Sequence, residues 1–138
     1  MVFNFSSFEN SLVRLLVPPF IGLLFYGAWA FWVNYDYGQA LAFKAAFTQG
    51  SYSFVITLVL ALIVEWLFLG LKKWPFHLFF IGFITCSFLY LTSWSLNYFV
   101  GTPNILMTIL PGAAASTVYT IIYIVGLNKL DKYKKTIA

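Results

Sequence analysis

Four apolar runs, at about residues 11–33, 45–71, 76–96 and 105–127, follow one another with only short breaks between them. A helix needs about 20 apolar residues to cross a ~30 Å hydrocarbon core, so each run is long enough to span. The alternative is a water-soluble helical bundle, and composition decides against it. Only 9% of the residues are charged and 62% are hydrophobic, with a mean hydropathy of +0.87. Soluble domains carry about a quarter charged residues, so this chain has too little polar surface to cover a core in water. The sequence therefore predicts an all-α integral membrane protein. It would be one transmembrane domain over residues 1–138, with four helices in two tandem hairpins and a basic tail at 128–138.

The breaks carry their own signals. KKWP at 72–75 is a tight basic turn between the second and third spans. GTPN at 101–104 stops the chain before the fourth, with Thr102 the expected N-cap and Pro103 the first helical residue. Ser6 and Glu9 have the S-x-x-E spacing of a capping box ahead of the first span. No basic segment precedes that span and no small-residue cleavage site follows it, so it is expected to be retained rather than removed as a secretion signal.

Orientation follows from the basic residues. Arg14, Lys72, Lys73, Lys129, Lys132, Lys134 and Lys135 fall on one side of the expected membrane, and Lys44 alone falls on the other. Basic residues concentrate on the cytoplasmic side, so both termini are expected there, with the protein in a bacterial inner membrane. Trp29, Trp32, Tyr35, Tyr37, Trp94 and Tyr98 then mark the outer interface, and Trp66 and Trp74 the inner one. The tail KLDKYKK supplies most of the net charge of +4 and serves this topology. Nothing else in the chain points to nucleic acid.

Shifted by 63 residues, the first half lies on the second. Phe20, Ile21 and Phe25 meet Phe83, Ile84 and Phe88. In the breaks, Asn34-Tyr35 and Gly38 meet Asn97-Tyr98 and Gly101. Ser53, Val55 and Thr57 meet Ser116, Val118 and Thr120. Apolar matches come cheaply in such a composition, but the polar ones favour a duplicated pair of helices. Two units that each cross twice would be related by a pseudo-twofold axis along the membrane normal.

Within the repeat, residues four apart on one helix face form two rows. Gln49, Ser53 and Thr57 stand on the second span, and Gly112, Ser116 and Thr120 on the fourth. Small and hydroxyl residues at this spacing let membrane helices approach closely and bond across the contact. The rows therefore form either a packed seam between the two helices or a narrow polar pathway. Pro18, Pro19 and Pro111 are expected to kink their helices and to free carbonyl groups that need partners inside the protein. For Pro111 the deprived carbonyl is that of Met107; the other reading makes 105–109 a re-entrant segment.

Glu65 is the one acidic residue inside a run, about 10 Å along the helix from Lys72. An intramembrane carboxylate is costly and points to a partner or a function. Three arrangements fit: an ion pair with Arg14, a proton- or cation-linked site tuned by Arg14 or His77, or a side chain that snorkels to the head groups. Tyr26, Tyr52, Tyr90, Tyr119 and Tyr123 add phenols within the spans.

Several chemistries are excluded. Cys86 and His77 are each the only residue of their kind, so there is no internal disulfide, no cysteine-based metal site and no bis-histidine haem. No phosphate-binding loop, paired metal carboxylates or hydrolytic triad appears, and no cofactor or metal is expected, nor an enzyme. In size and four-span plan the chain is similar to small multidrug-resistance carriers, polyprenyl-phosphate-sugar flippases and fluoride channels. The first group has a glutamate in the middle of span one, where this chain has leucine and phenylalanine, and a shared plan carries no function by itself. Three functions are consistent with the sequence. One is a carrier or flippase for an amphipathic or lipid-linked substrate, acting as a homo-oligomer among membrane lipids. Another is a non-catalytic accessory or immunity-type subunit bound to a membrane-protein partner. The third is a holin-like pore former.

Overall fold

A computed structural model describes the backbone of residues 5–137 and the side chains of residues 15–137. It contains α1 (Phe5–Asn34), a single 3-10 turn (Tyr35–Tyr37), α2 (Gln39–Leu71), α3 (His77–Val100) and α4 (Ile105–Ile137). The described residues form no strand, and all four helices are long and apolar enough to cross a membrane. The expected capping box at Ser6 and Glu9 lies outside the described side chains.

Two helices are longer than their apolar runs. α2 begins at Gln39 rather than near 45, and α4 continues to Ile137 through the basic tail. Hydropathy marks the oily stretch only. The residues beyond Leu127 include several lysines and Leu130, which are good helix formers, so the backbone ladder simply continues. That extension is tied down. Asp131 lies 2.7 Å from Lys135 one turn on and 3.2 Å from Lys72 at the end of α2. These two lysines hold its carboxyl below the ordinary value of 3.8, Lys135 first and Lys72 second, each by hydrogen bonding.

α2 and α4 touch each other, and each also touches both α1 and α3, whereas α1 and α3 do not meet among the described residues. The buried face of α2 repeats every three to four residues through Ala42, Ala45, Gln49, Ser53, Leu60, Val64 and Phe68. That of α3 repeats every four through Ile81, Thr85, Leu89, Ser93 and Asn97. The interior is apolar toward one end and polar toward the other, apart from Thr85 and Thr120, which are buried on the same helix faces as Ile81 and Ile124. Toward the Lys72 turn, Leu60, Val64, Phe68, Ile81, Leu89 and Ile124 form an apolar core. Toward the opposite end, Asn34, Gln49, Ser93, Asn97, Thr102 and Thr108 are buried polar residues.

Those polar residues close the far end of the bundle. Asn34, the last residue of α1, and Asn97, one turn from the end of α3, were expected in loops and are helical. Each donates Nδ2 to the carbonyl four residues back, at 2.8 Å on Ala30 and 2.9 Å on Ser93. Each also reaches a neighbouring helix: Asn34 Nδ2 donates to Thr108 Oγ1 at 2.7 Å, and Asn97 Nδ2 donates to Gln49 Oε1 at 2.9 Å. The start of α4 corrects the expected cap. Thr102 gives its hydroxyl to Asn97 Oδ1, so Asn104 takes its place and accepts from the Met107 N–H at 3.3 Å. Pro103 therefore precedes the helix.

Candidate functional site

α4 runs unbroken from Ile105, so 105–109 is its first turn and a half and not a separate segment. Pro111 lies inside it and cannot supply an N–H to the Met107 carbonyl. Trp29 Nε1 of α1 donates to that carbonyl instead, at 2.7 Å. The proline thus opens a bonding position that fastens α4 to α1. Pro18 and Pro19 lie within α1 without ending it.

Just inside this fastening, the four helices leave a cavity of about 410 Å³. That is within the roughly 300–1,000 Å³ of ordinary small-molecule sites. Every helix contributes to its wall: Pro18, Pro19 and Tyr26 from α1, Gln49, Ser53 and Thr57 from α2, Tyr90 and Ser93 from α3, and Gly112, Ser116 and Tyr119 from α4. Of the two small-residue rows, Gln49, Ser53, Thr57, Gly112 and Ser116 all border this space. Thr120 does not; it is fully buried, and its hydroxyl has no partner. The α2 and α4 rows approach across the cavity: a Cβ on Gly112 would lie 3.5 Å from Gln49 Nε2. Leu15, Ile56, Leu60 and Ala61 make the Lys72-facing end of the wall apolar.

Of the other polar groups on the wall, Tyr52, Tyr90 and Thr57 are engaged, whereas the hydroxyls of Tyr26, Ser53, Ser116 and Tyr119 make no hydrogen bond among the described residues. Tyr52 donates to the Leu89 carbonyl at 3.0 Å and meets the Thr92 hydroxyl at 2.8 Å. The Tyr90 hydroxyl meets Thr117 Oγ1, and Thr57 donates back to the Ser53 carbonyl at 2.6 Å. No Lys, Arg, His, Asp or Glu side chain borders the cavity among the described residues.

Glu65 is not part of this site. It lies exposed on α2, and Tyr123 of α4 donates its hydroxyl to the carboxylate, with Tyr119 stacked on Tyr123 at 5.5 Å. His77 is turned elsewhere: its Nδ1 lies 3.2 Å from the Trp74 carbonyl, and the ring meets Phe68 edge-on. The Arg14 side chain lies outside the described residues, and with it the expected Arg14–Glu65 pair. From the sequence, Tyr123 is only one phenol among five, Ser93 has no role, and Trp29 is one of the outer-interface aromatics with no bonding partner assigned. For Trp29 the proline provided half of a signal, since it identifies a carbonyl in need of a donor.

The geometry defines a class, a protein all-helical over its described residues, with four helices each able to span a membrane around a mostly apolar, uncharged and partly open cavity. No protein family, curated protein or solved structure matches this chain.

Proposed function

We propose that the protein is a small inner-membrane carrier or flippase that holds an amphipathic or lipid-linked molecule in the four-helix cavity. The observation that supports this most is the cavity wall, apolar along most of its length with buried amide and hydroxyl groups at one end. Sites of this kind orient a largely hydrophobic ligand through a few polar contacts. In this reading the Lys72 turn and the basic end of α4 face the cytoplasm, since seven of the eight basic residues lie there. A duplicated helix pair accounts for the two asparagines, which stand 63 residues apart and make the same bond to the carbonyl four residues back. The test is purification in mild detergent with mass spectrometry of bound lipids, followed by lipid translocation in proteoliposomes. A Gly112→Val variant that folds should lose both. Lipid binding and translocation unchanged in that variant would remove the reading.

One observation favours a second role. Glu65 and Tyr123 form an exposed polar pair within apolar helices, and such a pair on a lipid-facing surface is costly. Covering it with a second copy, or with a different membrane protein, would relieve that cost. Glu65→Leu should then abolish co-purification of the partner while leaving lipid binding in the cavity intact.

A further inference from the structure

The polar end of the cavity has a fixed chemical sense. A peptide carbonyl only accepts hydrogen bonds, so the 2.9 Å contact with the Ser93 carbonyl identifies the Asn97 atom there as Nδ2. The same nitrogen faces Gln49 at 2.9 Å, which makes the Gln49 atom in that contact the accepting Oε1. Thr102 completes the row by donating to Asn97 Oδ1 at 2.9 Å. Gln49 Nε2 must point the other way, and it lies toward Gly112 on the cavity wall. Gln49 is only 2% exposed, and its amide nitrogen donates to nothing among the described residues.

Ser93 stands on the same wall, 6% exposed, with its hydroxyl unpartnered. A helical serine ordinarily bonds back to the carbonyl four residues earlier. Here that carbonyl, on Leu89, already accepts from the Tyr52 hydroxyl at 3.0 Å. Buried polar groups are nearly always paired, so two free donors at one end of a cavity call for an acceptor. That acceptor carries no charge. An anion buried there would have no cation beside it, a heavy desolvation cost. Position 14 of α1 is about 20 Å along the helix from Gly27, which packs beside Gln49 against Gly50, so arginine there is remote from this end.

We infer that Gln49 Nε2 and the Ser93 hydroxyl form a head-group subsite for an uncharged acyl ester, as in an acylglycerol, whose hydrocarbon lies along Pro19, Ile56, Leu60 and Ala61. The inference rests on the ligand-holding reading of the cavity and names its substrate class.

The experiment compares dioctanoylglycerol with dioctanoyl phosphatidate, which differ only in the phosphate, for binding to the full chain in nanodiscs by native mass spectrometry. The diacylglycerol should bind saturably and the phosphatidate at least about tenfold more weakly, because its charge has no partner. Ser93→Ala removes a hydroxyl that holds nothing in the protein, so the variant should fold and lose roughly 3- to 10-fold in diacylglycerol affinity. Gln49→Leu should lose as much or more, and Gly112→Val should block both lipids. Equal binding of the two lipids, blocked by Gly112→Val but indifferent to Ser93→Ala, would overturn the donor subsite and leave the cavity reading standing. Binding of neither lipid to the parent chain would overturn both.

Discussion

The two sequential helix pairs, α1 with α2 and α3 with α4, make their contacts differently. Where α1 crosses α2, backbone meets backbone: a Cβ on Gly50 would lie 2.9 Å from the Leu23 carbonyl oxygen, and one on Gly27 would lie 3.2 Å from that of Ala46. Sixty-three residues on, the positions of Gly27 and Gly50 hold Tyr90 and Ala113. There a phenol ring stands between α3 and α4, its hydroxyl 3.5 Å from the Ala113 carbonyl and bonded to Thr117. The first pair is closed by the absence of side chains and the second is held apart by a large one. Tyr90 and Ala113 border the cavity, whereas Gly27 and Gly50 do not. At positions 63 residues apart, residue size thus gives a close backbone crossing in one pair and a side-chain-filled crossing in the other.

The largest test of this contrast is at the tight crossing. Gly50→Val puts side-chain atoms against the Leu23 backbone, which cannot move aside, and should destabilise the fold by about 3 kcal/mol. Ala113→Val, at the corresponding position, has the cavity beside it and should cost less than about 1 kcal/mol. Equal losses in detergent thermal melts would mean that the two crossings are equally close.

Next is the fastening between the pairs. Trp29→Phe leaves the Met107 carbonyl without a donor and should cost about 1–2 kcal/mol. Adding Pro111→Ala restores an N–H four residues on, so the double variant should recover most of the loss. A double-mutant cycle with no coupling would separate Trp29 from the proline.

A smaller effect is expected for the spacer itself. Tyr90→Phe keeps the ring and removes only the hydroxyl bond, so the change should be near the ~0.6 kcal/mol average for such bonds in membranes. A loss as large as that of Gly50→Val would make the hydroxyl, and not the ring, the element that sets the gap.

The least effect belongs to the solvent-facing tie between α2 and α4. Asp131 has a lowered pKa in the fold, so its contribution is complete above the ordinary carboxylate value of 3.8 and is lost as pH falls through the lowered value. Hydrogen exchange in the last turns of α4, taken relative to the intrinsic amide rate at each pH, should be constant from pH 7 to 5 and should rise only in stronger acid. In Asp131→Asn the acid-induced rise should be absent. An acid-induced rise of the same size in that variant would assign it to another group.

The four helices were readable because a hydrocarbon layer imposes length and oiliness on any chain that crosses it. Their ends were less so. The competition between Thr102 and Asn104 for the cap of α4 is decided by Asn97, which captures Thr102 from the preceding helix. A local motif cannot report such a capture. The rows of Gln49, Ser53, Gly112 and Ser116 were visible as a shared face, yet whether a face closes or encloses depends on residues such as Tyr90 that stand elsewhere. Glu65 was conspicuous as a charge, while its partner Tyr123 lies 58 residues away on another helix.

The row from Thr102 through Asn97 to Gln49 has a direction, and the direction originates in one peptide group. Because the Ser93 carbonyl cannot turn into a donor, every amide along the row is locked in one orientation. Whether the cavity offers hydrogen or lone pair at Gln49 is therefore not a choice left to Gln49. The sign is set by the main chain of α3 and relayed through Asn97, so a side chain that does not border the cavity governs which end of the Gln49 amide is turned toward it.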